Sequence, residues 1–436
     1  MKSTTKHFIN YALPFTIIIV AITSIVTFPN PFFPYISFLN NTAVAWMLSM
    51  FVTMLFFFSM RYFFDTINQK NTRFITIYFI WTIICIIRGA YVAEHYWDIK
   101  GLVTNSFGLL LLMVAYSSTN KVIVQTFLSY YVKYALPLFL ILVFLIRPDA
   151  YGFYLMPVSF LLIFLPALTK RKRVLLFIFT AVVLLADVGA RSNVIKFAVP
   201  LMILLIYYLR NYLSHSLLEA ARLVLLIVPF VLLLLGVTGV FNVFHTDDYL
   251  GEQTVTKTDL QGRQFEENLA GDTRTFIYEE VLESAINNNY WIFGRTPARG
   301  NDSAAFGARA FEMTRRYERL ANEVGIANVF TWMGIVGVIL YFLIFFHASF
   351  LAVNRSRNIY AKMLGIYVAF RWLYSWVEDV NNFSLNYFIL WVMIGMCLSV
   401  SFRSMSDYEV TIWIRGVFDY RYLNFTKYLK REENEK

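Results

Sequence analysis

Apolar runs of about 17–25 residues recur along this chain, each long enough to cross a hydrocarbon core of about 30 Å. Inside lipid a backbone must satisfy its own hydrogen bonds, and a continuous apolar run does so as a helix. We place the runs at about 11–28, 43–60, 74–92, 101–117, 123–146, 152–168, 174–188, 194–209, 223–243, 324–347, 360–376 and 386–402. Of the 436 residues, 58% are hydrophobic and only 15% charged; a soluble domain carries about a quarter charged. The expected fold is an all-α polytopic membrane protein. It has about 12 transmembrane helices and one large extracytoplasmic loop containing short helices.

The net charge of +10 does not indicate nucleic acid as a partner, because the basic residues lie mainly in short connections between runs, where Lys and Arg set topology. Counted from the amino terminus, the cytoplasmic connections include Arg61–Arg73, Lys170–Arg173, Arg210–Arg222 and Asn354–Arg357, and all are basic. Both termini then fall in the cytoplasm. The opposite face takes Pro29–Pro34, Glu94–Asp98 and Val377–Asn382, which are aromatic and acidic. Cys85 and Cys397 both lie within runs, so no disulfide framework follows. The first run follows Lys2 and Lys6 without a small-residue cleavage site and reads as an anchor. The divisions are 1–244 (about nine helices), 245–323 (the large loop), 324–402 (about three helices) and 403–436. That last tail is basic and aromatic, and Ile412–Tyr428 within it suits a helix on the inner membrane surface.

A structureless connection as long as 245–323 is uncommon, so it is expected to fold and have a role. Asp247–Gly271 reads as a mobile stretch. A helix is expected next, capped by Asp272 or Thr273, with an apolar stripe from Phe276 to Ile286 and a stop at Asn287–Asn289. A second is expected over Ala304–Leu320, capped by Asp302 or Ser303 and bearing Arg309, Arg315, Arg316 and Arg319.

Several residues could carry chemistry. Arg191, in the turn Ala186–Asn193, stands at the outer end of one run with Gly189 to allow the turn. It either faces a polar cavity or snorkels to head groups. Ser192 and Asn193 could cap the next helix, whose N–H groups favour anions. Arg274 and Arg295 have the planar fork that holds phosphate oxygens. The plain alternative for them is a solvated loop paired with Glu279, Glu280 and Glu283. Glu323 is the last carboxylate before an apolar run. Partial burial would raise its pKa toward that of a useful base, whereas a first-turn Glu complementing the helix dipole is the ordinary reading. Arg88 and Arg371 fall inside runs, as cavity groups or halves of intramembrane pairs, with Glu378 and Asp379 as partners for Arg371. The chain has no Gly-rich P-loop, and His7, His95, His215, His245 and His347 form no metal cluster.

The order of these features resembles the bacterial Wzy-type O-antigen polymerases and the related O-antigen ligases. The resemblance rests on GARSN, then DTRTFIYEEVLESAINNNYWIFGRTP (Asp272–Pro297), then NEVGIANVFTWMGIVGVILY (Asn322–Tyr341), and last NYFILWVMIGMCLS (Asn386–Ser399). It spans about Ala186 to Ser399. Gly334-Ile335-Val336-Gly337 matches the family's "GixG" element, and Glu323 stands eleven residues before it, where the ligases carry a His. The second Gly of the family's "fG.G" is Thr296 here. Both departures favour polymerase over ligase.

The resemblance implies a metal-independent glycosyltransferase without cofactor, at the outer face of a bacterial inner membrane, with the large loop periplasmic. Donor and acceptor would be glycans on undecaprenyl pyrophosphate, and a polysaccharide chain-length regulator would be a further partner. Arg191 and Arg274 would stabilise the leaving pyrophosphate and Glu323 would act as base. Arg295, Arg88, Arg371, Arg309 and Arg316 would bind pyrophosphate or glycan. The alternatives are a ligase delivering glycan to lipid or protein, and a transporter or flippase. A transporter would want charges spread along a central path.

Overall fold

The computed structural model describes residues 2–29, 41–187, 190–244, 254–258, 264–268 and 274–422. The helices used below are, in chain order, α1 (Phe8–Thr23), α2 (Thr42–Phe63), α3 (Arg73–Val92) and α4 (Tyr96–Ser118). They continue as α5 (Lys170–Ala186), α6 (Arg191–Tyr208), α7 (His215–Val237), α8 (Thr275–Asn287) and α9 (Ala304–Thr314). The last are α10 (Gly325–Asn354), α11 (Ile359–Tyr374), α12 (Leu385–Leu398) and α13 (Asp407–Phe418). Six of them, α2, α3, α4, α6, α7 and α10, are long and apolar enough to cross a membrane.

The other apolar runs are shorter or segmented helices, and proline accounts for the segmentation. Lys121–Tyr130 passes through a π-turn at Tyr131–Ala135 into Leu136–Leu142, with Pro137 at the junction. Pro157 and Pro166 open two further short pieces, Met156–Leu162 and Leu165–Ala167. Proline lacks an N–H and clashes with the carbonyl four residues back, so each apolar run restarts there. Side-chain caps start several of the unbroken helices: Asn41 accepts from the Ala43 N–H, Ser214 from Leu217 and Asn358 from Ala361.

Helices α10, α11 and α12 form the centre, with α3 packed on α10. Every residue of α12 is buried. Surrounded by protein rather than lipid, this 14-residue helix has no bilayer thickness to match. By contrast α7 packs mainly on α11 and buries only Leu218, Arg222, Leu226 and Pro229.

Helix α10 is broken at Gly334 (φ 67°, ψ −170°), nine residues in. The segment after α8 fills the break. The N–H of Ile335 donates to the Trp291 carbonyl (2.9 Å), Val336 to Ile292 (3.3 Å), and Arg295 to Thr331 (2.7 Å). Trp81 Nε1 donates to the freed Met333 carbonyl (3.1 Å). Backbone groups released by the kink are thereby satisfied, as a helix among apolar neighbours requires. Gly294 (φ 74°) lies against Gly334. A Cβ on Gly334 would meet the Ile292 carbonyl oxygen at 2.1 Å, and one on Gly294 the Met333 nitrogen at 2.4 Å. The two glycines of the FG and GIVG elements are thus a backbone-to-backbone joint.

The segment between α7 and α10 differs in part from expectation. Within 247–271, β1 (Thr254–Thr258) pairs antiparallel with β2 (Gln264–Asn268), Thr254 opposite Asn268; the rest of that stretch lies outside the described residues. Helix α8 stops at Asn287 as expected, but the expected caps Asp272 and Thr273 lie outside the described residues. So do Gly189, most of Pro29–Pro34 and the tail beyond Tyr422. Helix α9 starts at its Ser303 cap and ends at Thr314, where Arg315 takes a left-handed conformation (φ 59°). The expected helix to Leu320 is cut short because Glu318–Arg319 turn back as a strand and pair with Asn301–Asp302. Arg315, Arg316 and Arg319 therefore do not share a helix face with Arg309.

Candidate active site

A cavity of about 820 Å³ opens where the first turns of α6 and α8 meet the ends of α7 and α11. Its walls are unlike in chemistry. Pro229, Leu232, Leu233, Gly236 and Val237 of α7 make one side apolar, together with Ile195, Leu282 and Leu373. Arg191, Ser192, Arg274, Thr275, Tyr374 and Glu378 make the other polar. The sequence placed Arg191 and Arg274 in separate motifs 83 residues apart, and the fold sets both on this one cavity. Each begins a helix or stands immediately before one: Arg191 is the first residue of α6, and Arg274 occupies the N-cap position of α8. Two helix amino termini and two guanidinium groups therefore favour negative charge at one place.

Arg274 is fixed by its neighbours. Its Nε donates to the Val377 carbonyl (3.1 Å) and its Nη1 to Glu323 Oε2 (3.0 Å). Tyr278, one turn along α8, donates its hydroxyl proton to the Trp376 carbonyl (2.6 Å), so α8 is pinned to the turn after α11. Glu323 also accepts from Arg319 (3.3 Å) and is 60% exposed. The partial burial expected of Glu323 is thus not what the fold provides: it stands in solvent between two arginines, outside the residues that line the cavity.

On the cavity wall, Glu378 accepts from Ser192 Oγ (2.7 Å) and from Lys196 Nζ (3.1 Å), both at Oε1. Lys196 also donates to Ser192 Oγ (2.6 Å) and is itself buried. Burial raises the pKa of Glu378, but Lys196, the Ser192 hydrogen bond and Arg274 outweigh it and hold the carboxyl below the usual range. Next to it Asp379 is pushed up to about 6, chiefly by burial, against hydrogen bonds from the Asn381 N–H and Asn328.

The sequence offers Arg371 as a cavity group or as half of an intramembrane pair with Glu378 or Asp379, and Lys196 is not among its candidates. The structure gives Glu378 to Lys196 instead. Arg371 is fully buried and lies over the Tyr374 ring (5.6 Å). A signal for Lys196 was present: a lysine one turn into an apolar run, four residues after Ser192, is itself a mark of function.

Three other candidate arginines serve the protein's own framework, and a fourth stands apart. Arg88 donates to the carbonyls of Phe293 (2.8 Å) and Gly294 (3.2 Å), holding the segment that fills the α10 break. Arg295 bonds the Gly300 carbonyl and Asp302 and pairs with Glu318. Arg316 bridges Glu94 (2.8 Å) and the buried Asp98 (3.0 Å). Arg309 is exposed on α9. None of the four lines the cavity.

No protein-family model, no curated protein and no solved structure matches this chain.

Proposed function

We propose that this chain is a membrane glycosyltransferase that polymerises oligosaccharide repeat units carried on undecaprenyl pyrophosphate. The observation that carries the reading is the two-sided cavity: Arg191, Arg274 and two helix amino termini on one side, and the apolar wall of α7 on the other. A polyprenyl pyrophosphate has the same division, an anionic head on a long hydrocarbon. α7, thinly packed and mostly exposed, leaves its cavity face open to an apolar chain arriving from the bilayer.

In this reading the acceptor hydroxyl attacks the anomeric carbon of the donor and undecaprenyl pyrophosphate leaves. Negative charge develops on the leaving oxygen, and guanidinium groups already in place stabilise it without reorganising. Arg274 is suited to this because Val377 and Glu323 fix its fork from behind. In this reading the cavity lies on the periplasmic side of a bacterial inner membrane, with all twelve apolar runs crossing or entering the bilayer; the basic connections counted above support that orientation. Arg88, Arg295 and Arg316 then act as the frame of the site rather than as ligands of the glycan.

The test is the length of the polysaccharide ladder in cells lacking the chain, complemented with wild type, Arg191→Ala or Arg274→Ala at matched membrane levels. Wild type is expected to restore a ladder, and the arginine variants to leave single repeat units on lipid. A ladder that persists without the chain rules out polymerisation and favours a ligase or a transporter.

A further inference from the structure

We propose that Glu378, anchored by Ser192 and Lys196, is the group that takes up the proton of the attacking hydroxyl; this rests on the glycosyltransferase reading above. Among the described residues, two carboxylates line the cavity, Glu279 and Glu378. Glu279 is exposed on α8. Glu378 is held from α6: Ser192 Oγ and Lys196 Nζ both meet Oε1, and Oε2 receives none of the hydrogen bonds described. One oxygen is thus fixed and the other remains for the cavity the residue lines. Glu323, by contrast, is outside the lining and already shared by Arg274 and Arg319.

Glu378 also stands beside both arginines of the site. Ser192, which binds it, follows Arg191 in the chain, and Val377, which precedes it, holds Arg274 through its carbonyl. One wall therefore carries the anion clamps and the proton acceptor. The step balances. The acceptor O–H proton passes to Glu378 Oε2, and the acceptor oxygen bonds the anomeric carbon. The bond from that carbon to the pyrophosphate oxygen breaks with its electron pair going to oxygen. Glu378, now neutral, releases the proton to solvent through the cavity. The charged and titratable groups facing Glu378 are Lys196 from α6, Arg274 from α8, and Tyr374 and Asp379 from its own stretch.

The experiment uses the full chain in lipid micelles with two readouts. One is binding of undecaprenyl pyrophosphate; the other is extension of the lipid-linked saccharide that accumulates in cells lacking the chain. Glu378→Gln is expected to bind undecaprenyl pyrophosphate within about three-fold of wild type and to extend at least about 100-fold more slowly. It should lose the acid limb of the pH–rate profile, while Glu378→Asp recovers part of the rate. Ser192→Ala, which keeps the carboxylate and removes one anchor, is expected to slow extension about ten-fold with binding kept. Extension by Glu378→Gln within about three-fold of wild type overturns the inference and leaves the glycosyltransferase reading standing. So does a loss confined to Glu279→Gln or Glu323→Gln. Loss of binding by both Glu378→Gln and Ser192→Ala makes the residue structural and also overturns it. A wild type that neither binds nor extends removes the function itself and this inference with it.

Discussion

The segment between α7 and α10 works in two halves that use the same residue types differently. In the first half, Arg274 and α8 border a cavity beside α7, an apolar helix that buries few of its residues. In the second half, from Tyr290 to Arg319, Arg309 is exposed but most of the arginines serve the protein itself. Arg295 and Arg299 hold Glu318, Arg316 holds Asp98, and Gly294 locks into the break of α10 at Gly334. An arginine in a loop is thus not evidence of a ligand until its partners are known. Those that meet buried carboxylates build a frame; Arg191 and Arg274 stand instead on a cavity wall at helix amino termini.

That contrast can be broken from either side. The largest effect is expected in the first half: Arg191→Ala or Arg274→Ala should lower chain extension on the order of 10²–10³-fold while leaving the unfolding temperature in detergent within error. A comparable drop in thermal stability would erase the distinction between site and frame. In the second half the order is reversed. Gly334→Ala puts a Cβ on the Ile292 carbonyl at a positive φ and should cost about 2 kcal/mol or more of stability. Activity would then fall only as far as folded protein is lost, read by comparing extension rate with the folded fraction. Arg316→Ala, which removes the cation paired with the buried Asp98 carboxylate, should cost about 2 kcal/mol, seen as faster proteolysis between α8 and α10.

Two smaller effects sharpen the comparison. Glu323→Gln removes an exposed pairing with Arg274, worth up to about 1 kcal/mol, so extension should fall no more than about five-fold. A drop of 100-fold would restore Glu323 as the base. Acid should loosen the second half gently. Burial raises the pKa of Asp302, but hydrogen bonds from Arg295 and Asn288 prevail and hold it below the usual range. Its contribution is therefore fully present above the ordinary carboxylate value and is lost as pH falls through the lowered one. Unfolding temperature followed from pH 6 to pH 3 should decline at the acid end, and less so in Asp302→Asn.

The sequence alone determined that the chain is helical and apolar on the scale of a membrane. A run of some twenty apolar residues has few other ways to satisfy its backbone, and that argument needs no neighbours. It also marked Arg191 and Glu323, because charge beside an apolar run is costly enough to stand out, and Arg274, for a phosphate-holding fork at the start of a loop helix. It could not tell which runs stay whole, since a proline can kink a helix or restart it depending on what packs at the break. It could not tell that the FG and GIVG glycines are a joint, since that contact lies between backbones some forty residues apart. Which arginines face a cavity, and that Glu378, held by the buried Lys196, shares one wall with them, was decided by packing. Side chains far apart in the chain meet only after the helices that carry them have buried their other faces.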